Sequence, residues 1–362
     1  MAMERRAQRR IQSLYRHLSP QASDASSLLH PIVLRAEQLS FRDGREAVII
    51  GGMVLDIHAL PLSPTAPGTT TPGKVHYVLG GVARNIADCM SKLGGKPFFI
   101  SAVGHDMAGN RLLEHWRSTG CPIEVAAGDN IPLWFEPVSV AKSKKIAPLV
   151  KYVTYVSPNE DELFAMADAL SPGKLYCLSK RYKSQKNCPP ESLIKMLKPA
   201  IILLLEKGVK IVVVTIGAQG VFLCSKEGSI LTRTVVEKPQ PLGVSSELHR
   251  LISPNCPSHK FHDVRQIEGT SHLFALQLPG LPASVKKLTG AGDCLVGATL
   301  ASMCEGLNII QAISVGIAAA KATVEADSNV PLTFDLIGVA GRFTWLRRLF
   351  MMDQCELLPA SR

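Results

Sequence analysis

The sequence predicts an α/β domain built on a mostly parallel central sheet flanked by helices. Two observations carry that expectation. Short apolar runs such as Ala47-Val48-Ile49-Ile50 and Lys210 to Ile216 end at glycine turns, as buried strands do. Between such runs lie helical patterns, over 82–93, 159–170 and 190–208, giving the strand–helix alternation that accompanies parallel sheets.

Taken in order, the ordered chain starts at Ala47, in a buried strand that runs into Gly51-Gly52, and Val54-Leu55-Asp56-Ile57 follows. Residues 61–74 hold four prolines with several Thr and Gly, so they read as an exposed loop. Lys74 to Leu79 alternates as a strand. Gly80-Gly81 then opens a helix with Val82, Ile86, Met90 and Leu93 on one face, closed by Gly94-Gly95. Pro97 to Val103 reads as a strand, Gly104-His105-Asp106 as a turn, and Asn110 to Ser118 as a helix stopped at Gly120. Cys121–Val125, Ile131–Val138 and Tyr152–Val156 read as short strands. Helices over Asn159–Leu170 and Pro190–Gly208 precede the Lys210–Ile216 strand, and Gly217-Ala218-Gln219-Gly220 turns into Val221–Cys224. Residues 237–270 are polar and rich in Pro, Ser and His, as an irregular insertion would be. Two apolar helices over 294–304 and 308–324 and a basic aromatic stretch, 341–352, follow.

A length of 362 residues accommodates one large α/β domain, and a hydrophobic content of 46% suffices for a sizeable core. The division expected is a basic extension without fixed structure over 1–46, a domain over 47–335, and a tail over 336–362. A net charge of +10 favours anionic ligands. No aromatic-interleaved basic array that would argue for nucleic acid is present, so no nucleic-acid partner is expected. Nine scattered cysteines without metal spacing read as reduced thiols of an intracellular protein. The longest apolar region is cut by Glu206, Lys207 and Lys210, so no membrane span is expected. The cytoplasm is the compartment expected, with mitochondria or peroxisomes as alternatives.

The chemistry gathers at four segments. In Leu288-Thr289-Gly290-Ala291-Gly292-Asp293 an acid follows two glycines at the start of an apolar helix. First-turn amides lack partners and sit at the positive end of the helix dipole, so Gly290, Ala291 and Gly292 can cradle an anion. Asp293 beside them can accept a proton from an attacking hydroxyl, the combination that phosphoryl transfer to an alcohol needs. The alternative is a tight turn with Asp293 as a helix cap. Asp56, Gly80, Gly81 and Asn85 lie near strand ends and a helix start, where an acid and an amide can bind sugar hydroxyls; a turn residue and a solvated helix position are the alternatives. Asn159 and Glu162 have capping-box spacing, yet Glu160, Asp161 and Glu162 are more acid than a cap requires, and a Mg²⁺ site beside phosphate is the functional reading. Thr215, Gly217 and Gly220 follow a buried strand and would let main chain pass close to a nucleotide.

Together, Gly80-Gly81-x-x-x-Asn85, Asn159-x-x-Glu162, Thr215-x-Gly217-x-x-Gly220 and Gly290-Ala291-Gly292-Asp293 resemble the ordered signatures of the PfkB, or ribokinase-like, sugar and nucleoside kinases, over residues 47–330. The resemblance implies a ribokinase-like fold with a small β lid over the sugar. It implies ATP as phosphate donor and Mg²⁺, with a monovalent cation compatible. Asp56, Gly80, Gly81 and Asn85 would hold the acceptor, Asn159 and Glu162 would organise the metal, and Thr215, Gly217 and Gly220 would border ATP. Asp293 would deprotonate the acceptor's 5′-hydroxyl over the Gly290–Gly292 anion hole. The wording of Ile131–Ser139 and Tyr155–Leu163 is similar to the pseudouridine-kinase branch of that family, which makes a small-molecule nucleoside the expected partner and is compatible with a homodimer. No arginine or lysine is assigned a catalytic part.

One region departs from the pattern. The family places lid strands and further strand–helix units between the helix ending near Gly120 and the strand at Ile131. Here Ala126–Asn130 alone joins two strands, a link that permits only a hairpin, because parallel neighbours need a crossover of about a dozen residues. The chain is therefore expected to lack an internal block near residues 120–131, leaving the β lid incomplete. Such a form would be a catalytically impaired kinase relative that binds nucleotide or a partner.

Overall fold

The computed structural model describes residues 47–65, 68–101, 103–104, 106–119, 132–172, 188–233 and 273–334. The expected extension 1–46, strand Cys121–Val125, insertion 237–270, tail beyond 335, and the proposed deletion point within 120–131 all lie outside these residues.

Nine strands form three sheets among the described residues. β1 (Val48–Ile50) pairs in parallel with β4 (Phe98–Ile100). β2 (Val54–Pro61) and β3 (Gly73–Gly80) form an eight-residue antiparallel hairpin that stands by itself. The largest sheet runs β5 (Trp134–Phe135), β6 (Tyr155–Val156), β7 (Ile211–Thr215), β8 (Val221–Ser225) and β9 (Phe274–Leu278). The β5–β6 and β6–β7 pairs are parallel, whereas β7–β8 and β8–β9 are antiparallel. Parallel character is thus confined to part of the sheet. The reason is the four-residue turn Gly217–Gly220, which is too short for a crossover and returns β8 directly against β7.

Helices cover both faces of that sheet, and alternation along the strands shows why. Ile211 and Val213 of β7, with Val221 and Leu223 of β8, face one apolar cluster; Val212, Val214, Phe222 and Cys224 face another. Side chains of period two on strands buried on both sides must be apolar throughout, and β7 reads Ile-Val-Val-Val. The first cluster is closed by α1 (Val82–Lys92), α5 (Ala291–Cys304) and α6 (Ile309–Val324). The second is closed by α3 (Glu160–Leu170) and α4 (Pro190–Glu206). The helix α2 (Met107–Ser118) packs Trp116 on Phe99 of β4, with ring centroids 4.8 Å apart.

Several elements differ from the sequence expectation. The strand expected over Ile131–Val138 is only Trp134–Phe135, because Pro132 and Pro137 bracket it and cannot donate to a ladder. The strand from Pro97 shortens to Phe98–Ile100. α2 begins at Met107 rather than Asn110, since Asp106 caps it by accepting from Gly109 N at 2.7 Å. β9 and the short helices Val140–Ser143 and Gly228–Thr232 were not anticipated. The hairpin β2–β3 is longer than expected and takes in the ends of the proline-rich segment.

Candidate active site

The start of α5 decides where chemistry can occur. Gly290 is the N-cap residue, with φ 90°, and a β-carbon there would lie 2.0 Å from Asn329 O. Only glycine fits that left-handed, crowded position. Having no side chain, Gly290 caps none of the first-turn amides of α5. Ala291 N donates to Leu288 O at 3.3 Å, and the next residue, Gly292, lines a cavity of about 170 Å³.

Asp293 opens onto the same cavity. It is not the helix cap: its Oδ2 accepts from Asn85 Nδ2 at 2.5 Å. Burial pushes its proton affinity above the usual carboxylate range, while the Asn85 hydrogen bond and the nearby Arg84 charge pull it back. Asn159, Glu162 and Thr215 complete one wall, so three of the four sequence segments meet here. The capping box is present, Asn159 Oδ1 accepting from Glu162 N and Glu162 Oε2 accepting from Asn159 N, each at 2.9 Å. That occupies one side-chain oxygen of each residue. Burial raises the proton affinity of Glu162, the hydrogen bond from the Asn159 backbone opposes it, and the Asp161 charge adds to the rise.

The β2–β3 hairpin and the start of α1 supply the fourth segment. β3 ends at Gly80, Gly81 caps α1, and Asn85 projects from the first turn of α1 to Asp293. Asp56 of β2 lies against Gly80, where any β-carbon would collide with its carboxyl. Asp56, Gly80 and Gly81 therefore sit beside Asn85, outside the cavity lining itself. The Thr215–Gly220 segment divides. Thr215 lines the cavity, but Gly217 and Gly220 do not. Gly220, with φ 98°, has a packing reason to be glycine: a β-carbon would sit 2.1 Å from Leu278 O at the end of β9.

Four residues that the sequence reading left out matter here. Glu136 follows β5 and lines the cavity. Its carboxyl accepts from Ser157 Oγ, which accepts in turn from Trp134 Nε1 at 2.6 Å. Burial and the neighbouring Asp293 and Glu162 carboxylates push Glu136 up to about 8 despite the Ser157 bond. Val138, also in the lining, is the one non-glycine residue with positive φ among the described residues, at 66°. A β-branched residue held there marks local strain, which concentrates at functional sites. The sequence signal for these residues was the Ile131–Ser139 and Tyr155–Leu163 wording itself.

The chain is similar to several known proteins. Residues 45–129 match the pfkB family carbohydrate kinase family. The chain is 39% identical to a pseudouridine kinase of Arabidopsis thaliana over 365 residues, covering 82% of this chain and 95% of that protein. About a fifth of those aligned positions therefore fall where this chain has no residue. Among solved structures, a sugar kinase of Clostridium perfringens superposes with a TM-score of 0.55 at 17% identity, covering 83% of this chain and 96% of that one. A ribokinase of Cryptococcus neoformans, solved with ADP, gives 0.54 at 16% identity, covering 82% and 99%.

The fold and these likenesses define a ribokinase-fold kinase of the sugar and nucleoside class, with an alcohol as phosphate acceptor. The chain belongs to the pfkB family of carbohydrate kinases. Among the described residues, no helix is long and apolar enough to cross a membrane.

Proposed function

We propose that this protein transfers the γ-phosphate of ATP to the 5′-hydroxyl of pseudouridine. The observation that carries the reaction type is the position of Asp293: on the first turn of α5, in the cavity with Gly292, one oxygen held by Asn85. The identity to the Arabidopsis pseudouridine kinase supports the acceptor.

In this reading the acceptor lies under the β2–β3 hairpin, oriented by Asp56, Gly80, Gly81 and Asn85. Its 5′-hydroxyl gives its proton to Asp293 as the oxygen attacks the terminal phosphorus, and ADP leaves. A carboxylate of raised proton affinity is a better acceptor for that proton than an exposed one. The amides at Gly290, Ala291 and Gly292 offset charge on the transferring group. Thr215 in the cavity wall would border the nucleotide, with Gly217 and Gly220 on the turn that follows it.

The donor chemistry fits Mg²⁺. Glu162 and Asp293 supply carboxylate oxygens and Asn159 an amide oxygen, all hard ligands, while Glu136, raised to about 8, stays largely protonated at neutral pH. No group of three acidic, Cys or His side chains among the described residues is spaced to bind a metal alone. Asn159 and Glu162 would accordingly hold Mg²⁺ with help from water and phosphate, and the ion would neutralise phosphate charge.

ATP turnover measured side by side with pseudouridine, uridine, adenosine and ribose tests the assignment. Preference for pseudouridine is expected. Turnover confined to adenosine or ribose rejects the acceptor.

A second reading has its own observation. The β1–β4 sheet and the β5–β9 sheet share no strand among the described residues, and part of the Arabidopsis relative has no counterpart in this chain. A lid with parts missing excludes water poorly. Thermal stabilisation by ATP with no product from any acceptor would favour this nucleotide-binding form.

A further inference from the structure

Arg84 is 2% exposed, and its guanidinium lies in the interior beside Asp293. Burying an arginine is costly unless its charge is paired and its donors find acceptors, so its contacts are informative. Nε donates to Gly80 O at 3.1 Å and Nη2 to Leu79 O at 2.8 Å, the last carbonyls of the lid strand β3. Nη1 donates to Asp88 Oδ2 at 3.0 Å. Nη2 also donates to Asn85 Oδ1.

The last contact fixes an orientation. Asn85 lies between a guanidinium, which can only donate, and an ionised carboxylate, which can only accept. Only one of its two amide orientations satisfies both neighbours. Oδ1 must face Arg84, and Nδ2 must face Asp293, where it donates at 2.5 Å. With that bond in place Oδ2 of Asp293 is spoken for, and Oδ1 remains for another partner. Leu79 O accepts as well from Asn329 Nδ2 at 3.2 Å, so the lid end is tied to the segment that crowds Gly290. Asp88 keeps Arg84 in place and is itself held by Lys92 at 3.0 Å, with His115 at 3.9 Å.

We propose that Arg84 is a positioning residue: it locks the Asn85 amide against Asp293 and pins the end of the lid strand to the same lock. Its effect on turnover rests on Asp293 being the base. The lock itself does not.

Two measurements separate these. Side-chain amide exchange of Asn85 reads the lock directly, its signals identified by their loss in Asn85→Ala. Arg84→Met, close in shape but unable to donate, is expected to lower protection of those protons about tenfold or more, by loss of a buried hydrogen-bond partner. Arg84→Lys keeps the charge without the fork and should restore protection only in part. In turnover, both variants should lower kcat about tenfold or more while KM for the acceptor changes less than about threefold, the pattern of an interaction lost in the transition state. Arg84→Met combined with Asn85→Ala should be no worse than the poorer single variant, because both act through one contact. Unchanged Asn85 exchange in Arg84→Met overturns the lock, as does strict additivity. If Arg84→Met does not fold, Arg84→Lys with native protection and native kcat overturns it equally. A wild-type protein that transfers phosphate to no acceptor would refute the functional reading, and the exchange result would still decide the lock.

Discussion

Replacing Asp293 by Asn separates chemistry from stability, because the two should move in opposite directions. The side chains are nearly isosteric, and an amide oxygen can still accept from Asn85 Nδ2 in place of Oδ2. What is lost is the proton acceptor. General-base groups contribute about 10²–10⁴ in rate, so kcat should fall by that factor, equivalent to about 3–5 kcal/mol in the barrier. Stability should not fall with it. The proton affinity of Asp293 is raised by burial. A group raised in the folded state contributes its full stability below the unfolded pKa and loses it as pH climbs through the folded one. At neutral pH the ionised Asp293 therefore strains the fold, and the Asn variant escapes that cost.

The assay is coupled ADP release for rate, with thermal melts from pH 4 to pH 8 for stability. Expected is a Tm equal to wild type near pH 4 and above it near pH 7, with turnover nearly abolished throughout. A variant that keeps more than about a tenth of the rate refutes the base assignment, since no general base of the usual size would have been removed. A Tm that falls below wild type as pH rises refutes the burial argument.

Glu136→Gln should stabilise the protein above about pH 8 and make no difference below pH 4.5, because the raised carboxyl is favoured protonated; a rise of a few °C at pH 9, seen by calorimetry, is expected. Ser157→Ala removes the partner of the Trp134 indole N–H and leaves the Glu136 carboxyl only its Val138 backbone hydrogen bond, so it should cost about 1–3 kcal/mol in urea denaturation, more than Trp134→Phe. Gly290→Ala forces a β-carbon into Asn329 O at a left-handed position and should cost about 2–4 kcal/mol, or yield no soluble protein. Asp56→Ala should raise KM for the acceptor more than it lowers kcat, as measured by initial rates, since it would hold the sugar rather than the reacting proton.

The parts of the site legible in the sequence are those in which residue type and local turn coincide. Gly290-Ala291-Gly292-Asp293 announces a helix start that no side chain caps, and Asn159-x-x-Glu162 announces its own capping box. Both are local statements, settled within a turn of helix. Arg84 was illegible for a physical reason: an arginine in a helix usually ends in water. Arg84, Asp88 and Lys92 do recur every four residues, but that spacing reads as a solvated ion-pair ladder. What holds it inside is the end of β3, whose Gly80 and Leu79 carbonyls accept from its guanidinium. Glu136 was hidden likewise, its environment being set by Ser157, twenty-one residues away.

The fold shows the same division. β7 was readable because a strand buried on both faces is apolar at every position. β9 was not, because its five residues follow a long polar stretch, and its strand character comes from β8, with which it pairs from Val221–Leu278 to Ser225–Phe274. That pairing also explains Gly220. Its glycine looks like a nucleotide-binding signature when β9 is unseen. With β9 in place, the Leu278 carbonyl already fills the space a side chain would need. A glycine motif thus has two physical explanations that sequence cannot tell apart, close approach of a ligand or of the protein's own backbone. For Gly220 the second is sufficient, whereas at Gly292 no atom of the described residues outside its own helix lies within 4 Å of where a β-carbon would sit, so the fold itself does not require a glycine there.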